Sequence, residues 1–280
     1  MVKSMTPQHA SFSLLFETEG GVTYSPEVGN APTLPMPEAP HHGWVGTPGP
    51  AIDWKHWPRS LNTGLPLMHV LTLWLPGDYQ RKGPEYVGIA YFAECGEPDA
   101  AEPERGEADS DDPFLADLAQ AVDHPTLSRR VDVLGAEHAI IWLTAEELAR
   151  GPVAPHADLR EEGEPEAEDT LSAWDNEVEY ARLWLVKRED PNAGIAPLEV
   201  RAGATAENGY QSPHGDDFEL LPWAEAMHLQ SHLGGTAMPV QGMPEGLSPW
   251  YLELEEFGDL NYGGGNAQID LETEAFDWAC

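Results

Sequence analysis

Glycine and proline are frequent enough in this sequence to limit the folds that it can adopt. The 280 residues include 27 glycines and 26 prolines, nearly a fifth of the chain. Proline breaks the interior of a helix and glycine destabilises it, so this composition argues against an all-helical bundle. Ten tryptophans, eight tyrosines and seven phenylalanines supply bulky side chains for a core. A chain of this length forms one large domain or two small ones.

Several runs of residues predict β-strands. Residues 65–75 read LPLMHVLTLWL and are apolar on both alternating faces, as in a strand covered on both sides. Residues 86–93 are aromatic and β-branched, and residues 139–143 form a short apolar run. Residues 178–186 predict a further strand. Residues 250–257 alternate apolar and polar side chains, which is typical of a half-exposed strand.

Capping signals predict helices between these strands. Asp112 followed by Pro113 is a typical N-cap and first-turn pair, and Thr144 and Glu147 have the spacing of a capping box. Residues 218–229 are also expected to be helical. Strands and helices together predict an α+β fold that is rich in antiparallel sheet.

An internal similarity links an early and a late part of the chain. Residues 42–48 read HGWVGTP and are followed by GLPLMHVL at 64–71. Residues 232–239 read HLGGTAMP and are followed by GLSPWYLEL at 246–254. In both, a turn with Gly-Thr and proline precedes a Gly-Leu segment that leads into a long strand. The pattern predicts a duplicated unit and two pseudo-repeated halves in one globular unit. The expected halves are residues 1–125 and 126–280.

Short motifs near the C-terminus match a known pattern. Residues 233–241 read LGGTAMPVQ, residues 249–254 read PWYLEL, and residues 258–265 contain Gly-Asp and a Gly-Gly-Gly turn. With residues 64–68, these motifs resemble the YwqG-like family of bacterial proteins, whose strand usually reads Leu-Gln-Leu where this chain has Leu-Glu-Leu. The resemblance implies two related α+β halves on antiparallel sheet and no established reaction. Because such proteins are often encoded beside toxins, it also implies an immunity role.

Negative charge is in large excess. Fourteen basic residues against 49 acidic ones give a formal net charge of −35. Phosphate recognition needs clustered lysine and arginine, so the charge excludes a nucleic-acid binder of the usual kind and disfavours docking on anionic membranes. Two stretches, 94–112 and 158–179, carry net charges of −8 and −9. The charge fits either a solvated acidic surface or a face complementary to a basic partner.

The sequence predicts a cytoplasmic location. The first ten residues lack the apolar core of a signal peptide, and no apolar stretch is long enough to span a bilayer. Two cysteines, Cys95 and Cys280, cannot form a disulfide framework, and neither belongs to a C-x-x-C pair. A single bridge between them is the alternative to two reduced thiols.

Histidines in the C-terminal half form one candidate metal site. His228 and His232 would lie one turn apart on a helix, a spacing that can bind zinc. His214, Asp216 or Asp217 could supply a third ligand, but nothing in the sequence selects one. The segment also lacks the glutamate that follows the first histidine in a metalloprotease helix. We therefore predict polar histidines without a metal and no cofactor. Phosphate-loop and nucleophile-elbow motifs are absent from the sequence.

Charge and resemblance together predict a non-enzymatic, acidic binding protein, an immunity-type inhibitor that occludes a basic toxin. Tyr251 or Trp174 would be the central aromatic anchor within a charged rim. The predicted contact residues are Tyr251, Glu253, Glu255, Asp175, Glu177 and Glu179. A metal-dependent enzyme that uses the histidines and aspartates above is the alternative. A structural or assembly protein of a secretion or phage system is a third interpretation.

Overall fold

A computed structural model of the chain describes residues 9–26, 31–94, 110–132, 134–160 and 171–280. Within these residues, fourteen strands alternate with three short α-helices and two 3₁₀ turns. The strands are Ser11–Thr18 (β1), Gly21–Thr23 (β2), Gly43–Val45 (β3), Gly49–Pro50 (β4), Met68–Trp74 (β5), Tyr86–Ala93 (β6), Leu127–Val131 (β7), Glu137–Thr144 (β8), Pro152–Val153 (β9), Ala181–Arg188 (β10), His232–Leu233 (β11), Tyr251–Glu255 (β12), Asn266–Asp270 (β13) and Phe276–Ala279 (β14). The helices are Pro113–Leu118 (α1), Ala145–Ala149 (α2) and Pro222–Glu225 (α3), and the 3₁₀ turns are Trp54–His56 and Gly77–Tyr79.

Twelve of these strands form one antiparallel sheet. Their order is β14-β13-β12-β11-β1-β10-β3-β5-β6-β8-β7, with β2 paired to β1, while β4 and β9 pair separately. At the centre, β1 lies between β10 and β11, with Ser11 opposite Arg188 and Ser13 opposite His232. Strands that are far apart in sequence are therefore neighbours at the middle of the sheet.

Two meanders flank the central pair of β1 and β10. Strands β3, β5, β6 and β8 form the first meander, and β11 to β14 form the second. The two similar sequence segments begin at matching places, since 42–48 contains β3 and 232–239 contains β11. Their Gly-Leu segments lead into β5 and β12. The first meander includes β8, which lies beyond residue 125. The duplication and the division into 1–125 and 126–280 stay predictions.

The sheet curls until its two ends face each other. Trp278 of β14 donates its indole N–H to Asp132, which follows β7, over 2.6 Å. The ring of Phe276 packs against His138 of β8 with 4.5 Å between ring centres. The main core fills the concave side of the sheet. Its fully buried members include Leu14, Leu71, Leu73, Tyr91, Leu183, Leu252, Leu254 and Ile269.

The fold is β-rich, and the predicted α+β class is wrong. In the described residues, the three α-helices are only four to six residues long. The helix predicted over 218–229 is reduced to α3. Phe218 and Leu229 have φ angles of 60° and 57°, in the left-handed region, which a right-handed helix cannot include.

Most of the local predictions are confirmed. Strands β5, β6 and β8 lie where the apolar runs predicted them, whereas β10 begins only at Ala181. The Asp112 carboxylate caps α1 by accepting hydrogen bonds from two backbone amides. Thr144 and Glu147 form a complete capping box at the start of α2. These signals involve residues close in sequence, so they did not depend on knowing the fold.

Tryptophans of the proline-rich arm, residues 20–64, cover the convex face of the first meander. Trp57 is 4% exposed, packs edge-on against Phe92 with ring centres 5.2 Å apart, and donates its indole N–H to the Leu67 carbonyl over 2.9 Å. Trp54 packs beside it. Both tryptophans are therefore buried against the sheet.

Candidate functional site

The convex face of the second meander carries a row of polar side chains. Ser13 lies opposite His232, His232 lies opposite Glu253, and Glu253 lies opposite Gln268. Directly paired residues of neighbouring strands project on the same face of a sheet, so the four side chains form a continuous line. All four are buried. We call these residues the polar row.

The structure corrects the predicted exposure of β12. Tyr251 and Glu253 were expected on a solvent-exposed side, but they are 0% and 1% exposed. Glu255 is half-buried. The alternation of polar and apolar residues in β12 is real, because Leu252 and Leu254 fill the core on the other face. The polar side faces another part of the protein instead of water.

The covering segment, residues 234–248, binds the second meander through hydrogen bonds. The Glu253 carboxylate accepts a hydrogen bond from the Met238 amide, 3.0 Å from Oε2. The Tyr251 hydroxyl donates to the Gly235 carbonyl over 3.1 Å. Buried polar groups are tolerated when they are paired in this way.

Burial sets the protonation of two groups in the polar row. Burial raises the pKa of Glu253 to about 8, with a smaller contribution from the nearby charge of Glu255. Burial, assisted by the positive charge of Arg188, lowers the pKa of His232 well below its usual value. His232 Nδ1 lies 3.7 Å from Glu253 Oε1. At neutral pH both groups are therefore mainly uncharged.

Arg188 and Asp190 form a charged pair at the end of β10. The Asp190 carboxylate accepts hydrogen bonds from Arg188 Nη2 over 2.8 Å, from the Thr236 amide and hydroxyl, and from the Asn192 amide. Each of its oxygens has two donors. Arg188 is less well paired, since within the described residues its buried Nε and Nη1 atoms have no hydrogen-bond partner. Its side chain is 8% exposed.

A cleft with a volume of about 660 Å³ lies beside this pair. Its lining includes two cationic side chains, two acidic ones and a half-buried indole. The residues of this cleft that carry polar or aromatic side chains are His9, Lys187, Arg188, Glu189, Asp190, Gln211 and Trp223. A concave surface with a few polar groups that point inward is the usual form of a small-molecule site.

Residues 214–220 form a small hairpin, which we call the acidic hairpin. His214 and Leu220 pair through a β-bridge, and the Gly215 amide donates to the Glu219 carbonyl over 2.9 Å. The chain on either side of the hairpin, at Gln211 and Trp223, lines the cleft. The sequence did not indicate this hairpin, because residues 218–229 were expected to be helical.

An aromatic ring stands at the tip of the acidic hairpin. Phe218 is 76% exposed, and its φ angle of 60° lies in a region that bulky residues rarely adopt. Asp216, Asp217 and Glu219 are exposed around it. The hairpin therefore presents an apolar ring among carboxylates.

The other predicted contact residues lie against the turn that follows β12. The Glu177 amide donates a hydrogen bond to the Asp259 carboxylate. Glu177 and Glu179 are exposed, whereas Asp175 is half-buried and accepts a hydrogen bond from the Ser172 amide over 2.9 Å. Glu177, Glu179 and Asp259 form a second surface rich in carboxylates, which we call the acidic turn surface.

The two aromatic residues predicted as anchors differ in their exposure. Tyr251 is buried in the polar network. Trp174 is half-buried, donates its indole N–H to the His156 carbonyl over 2.7 Å, and has the Arg160 guanidinium 5.0 Å above its ring. Phe218 is a far more exposed ring than either of them.

The histidines considered as metal ligands are not brought together. His228 is exposed in the turn after α3, His232 is buried in β11, and His214 is half-buried at the base of the acidic hairpin. Within the ranges that the structure describes, no group of three His, Cys, Asp or Glu residues could hold a metal ion. Cys280 is an exposed free thiol, and Cys95 lies outside the described residues.

A second buried polar cluster lies where the ends of the sheet meet. His138 Nδ1 is 2.7 Å from the Tyr91 hydroxyl, and His138 Nε2 is 3.5 Å from Asp132. Burial acts to raise the pKa of Asp132, but hydrogen bonds with His138 and Trp278 outweigh it and lower that pKa to about 2. The cluster is closed to solvent and links β8 to β14, so it supports the fold.

No protein-family model matches this sequence, and neither a curated protein nor a solved structure matches it. The resemblance to the YwqG-like family stays a prediction that depends on the motif residues alone. In the part of the chain covered by the structure, none of the helices has the length and apolar character needed to cross a bilayer.

Proposed function

We propose that this chain is a non-enzymatic, acidic binding protein that uses the acidic hairpin to engage a basic protein. The observation that carries the proposal is the exposure of Phe218 at the hairpin tip, surrounded by carboxylates. Energetically important interface residues are often aromatic side chains that enter a pocket of the partner while a polar rim excludes water.

The conformation of Phe218 separates it from ordinary exposed apolar residues. Single apolar side chains occur on most protein surfaces without a function. A left-handed backbone at a residue with a side chain costs on the order of 1–2 kcal/mol. Phe218 combines that cost with an exposed ring that contributes little to the core. This combination fits a residue retained for contact with a partner.

The charge of the chain supports a basic partner. At a net charge of −35, long-range attraction raises association rates with a cationic protein by roughly 10- to 1,000-fold. The acidic turn surface adds exposed carboxylates in a second place. A toxin that acts on nucleic acid has a basic cleft, and an acidic protein with a projecting ring could occlude it. Immunity of this kind agrees with the implied family.

A comparison of hairpin variants tests the proposal. Wild-type protein is immobilised and exposed to an extract of its source cells. The proteins that it retains are identified by mass spectrometry and then purified. We expect one basic protein whose binding weakens steeply with salt. The Phe218→Ala variant should bind it about 30-fold more weakly, as for an interface hot spot. The control is Leu198→Ala, which truncates a side chain that is 46% exposed elsewhere.

Charge variants separate long-range electrostatic attraction of the partner from the direct contact that Phe218 makes. Asp216→Asn with Asp217→Asn should slow association and reduce its salt dependence. Glu19→Gln with Glu38→Gln removes the same charge from exposed positions outside the hairpin and is the matched control. Equal binding by wild type and Phe218→Ala would refute the hairpin contact. The histidines that the alternative of a metal-dependent enzyme would use lie apart, and no group of possible metal ligands occurs among the described residues.

A further inference from the structure

We propose that the cleft beside Arg188 and Asp190 binds a small zwitterion of the amino-acid class, a molecule with one ammonium and one carboxylate group. The cleft volume of about 660 Å³ lies in the range of small-molecule sites. The inference does not depend on the proposed protein partner, because Phe218 at the tip of the acidic hairpin does not belong to the cleft lining.

An indole that the fold does not use lies in the cleft lining. Trp223 is half-buried, yet it is neither a member of a core cluster of the described residues nor packed against one. The indole N–H groups of Trp57 and Trp278 donate to protein acceptors, whereas that of Trp223 has no acceptor in the described part of the chain. The ring and its N–H group are therefore available to a molecule in the cleft.

The lining also presents one unpaired charge of each sign. Lys187 and Glu189 are exposed, and within the ranges that the structure describes neither forms an ion pair or a side-chain hydrogen bond. Arg188 and Asp190 neutralise each other over 2.8 Å, and their side chains are only 8% and 0% exposed. The charged groups that a ligand can reach are therefore the ammonium of Lys187 and the carboxylate of Glu189.

This balance of charge selects a zwitterion over a ligand with a single charge. A ligand carboxylate would pair with Lys187 and a ligand ammonium with Glu189. A simple anion would be repelled by Glu189 and by the net charge of −35, and a simple cation would be repelled by Lys187. The side-chain amide of Gln211, which has no partner among the described residues, adds donors and an acceptor. His9 also lines the cleft but is held by Asp78, with 3.2 Å between Nδ1 and Oδ2.

An NMR titration of the ¹⁵N-labelled protein tests the site with four probes. Leucine and glycylleucine represent a free amino acid and a short peptide, whereas N-acetylleucine lacks the ammonium group and leucinamide lacks the carboxylate. The indole N–H resonance of Trp223 is identified by its loss in Trp223→Phe. We expect this resonance to shift saturably with at least one zwitterion, and the tighter of the two identifies the ligand as an amino acid or a peptide.

The singly charged probes decide whether both charges are recognised. N-acetylleucine and leucinamide should each bind at least threefold more weakly than leucine, because each leaves one charged group of the cleft unpaired. Equal binding of leucine and either analogue would overturn the proposal. A Trp223 resonance that moves with neither leucine nor glycylleucine would also overturn it.

Charge variants locate the two ends of the ligand. Lys187→Gln should weaken leucine binding about threefold to fivefold and leave leucinamide binding unchanged. Glu189→Gln should weaken leucine to a similar degree without weakening N-acetylleucine, a crossed dependence that damage to the fold would not produce. Lys82→Gln and Glu85→Gln, at exposed positions outside the cleft lining, are the controls. Leucine binding that is unchanged in both cleft variants would refute this location. Phe218→Ala should bind leucine as the wild type does, so the cleft and the hairpin are tested separately.

Discussion

The two meanders bury their convex faces in opposite ways. Over the first meander, Trp54 and Trp57 pack on Phe92, Ile141 and Leu143, and the contact is almost entirely apolar. Over the second, the covering segment 234–248 meets the polar row and is held there by hydrogen bonds from backbone and side-chain groups. Both faces are dry, yet only the first would be recognised as buried from its composition.

This difference shows that an alternating pattern indicates which face of a strand is polar but not whether that face is exposed to solvent. Along β12, Tyr251, Glu253 and Glu255 alternate with leucines just as a half-exposed strand would. The cover supplies the partners that water would otherwise supply, such as the Met238 amide for Glu253. A buried polar face costs little free energy when its groups are paired.

The apolar contact of Trp54 and Trp57 with the first meander should contribute more to the free energy of unfolding than the contact of the covering segment with the second meander. We expect Trp57→Ala to lower the free energy of unfolding by about 3–5 kcal/mol, because it leaves a cavity beside Phe92 and an unpaired Leu67 carbonyl. Urea denaturation followed by circular dichroism measures the change. Trp223→Ala, at a half-buried indole in the cleft, is the control. A loss below 1.5 kcal/mol from Trp57→Ala would show that the apolar contact over the first meander does not contribute the larger share of the stability.

Removing one hydrogen bond between the covering segment and the second meander should destabilise the protein less than Trp57→Ala does. Tyr251→Phe deletes the hydroxyl that donates to the Gly235 carbonyl and leaves this buried acceptor unpaired. The expected loss is about 1–3 kcal/mol in the same denaturation experiment. Tyr180→Phe, at an exposed tyrosine, should change the stability much less. Equal losses in the two variants would mean that the hydrogen bond to the covering segment contributes nothing.

The buried polar row should also make the stability of the protein depend on pH. The folded state keeps Glu253 protonated up to a pKa of about 8, whereas the unfolded chain releases that proton near the ordinary pKa of 4.5. Stability therefore falls as the pH rises between these values, by up to about 1.4 kcal/mol per pH unit. His232 acts in the opposite direction, because its lowered pKa makes stability fall as the pH drops below 6.5.

The window from pH 6.5 to 8 isolates the effect of Glu253. Thermal unfolding across it should show a fall in midpoint for the wild type and a flatter profile for Glu253→Gln, which cannot ionise. Glu179→Gln removes an exposed carboxylate and should follow the wild-type slope. Parallel profiles for wild type and Glu253→Gln would contradict the raised pKa of Glu253.

The first meander was the more predictable region. The apolar runs located β5, β6 and β8, and the caps of α1 and α2 were identified from single residues at their starts. A run that is apolar on both faces has one reasonable environment, so the sequence pattern and the burial agree. In the second meander the same reasoning predicted the position of β12 correctly, but its prediction that the polar side of β12 is exposed to solvent was wrong.

The candidate sites were less predictable than the strands. Tyr251, Glu253 and His232 were selected from the sequence, and the structure does bring them together, but as a closed network. Trp223 and Phe218 were missed, because both lay inside an expected helix.

From its sequence alone, this protein is a strongly acidic chain whose alternating and apolar runs must form antiparallel strands, because residue type and spacing decide which faces a strand can bury. Only the tertiary structure decided where the covering segments lie. Contacts such as Met238 with Glu253, and Thr236 with Asp190, join residues separated by turns of irregular chain. Such contacts turn a polar face into an interior and bury the pair of Arg188 and Asp190, and no local pattern encodes them.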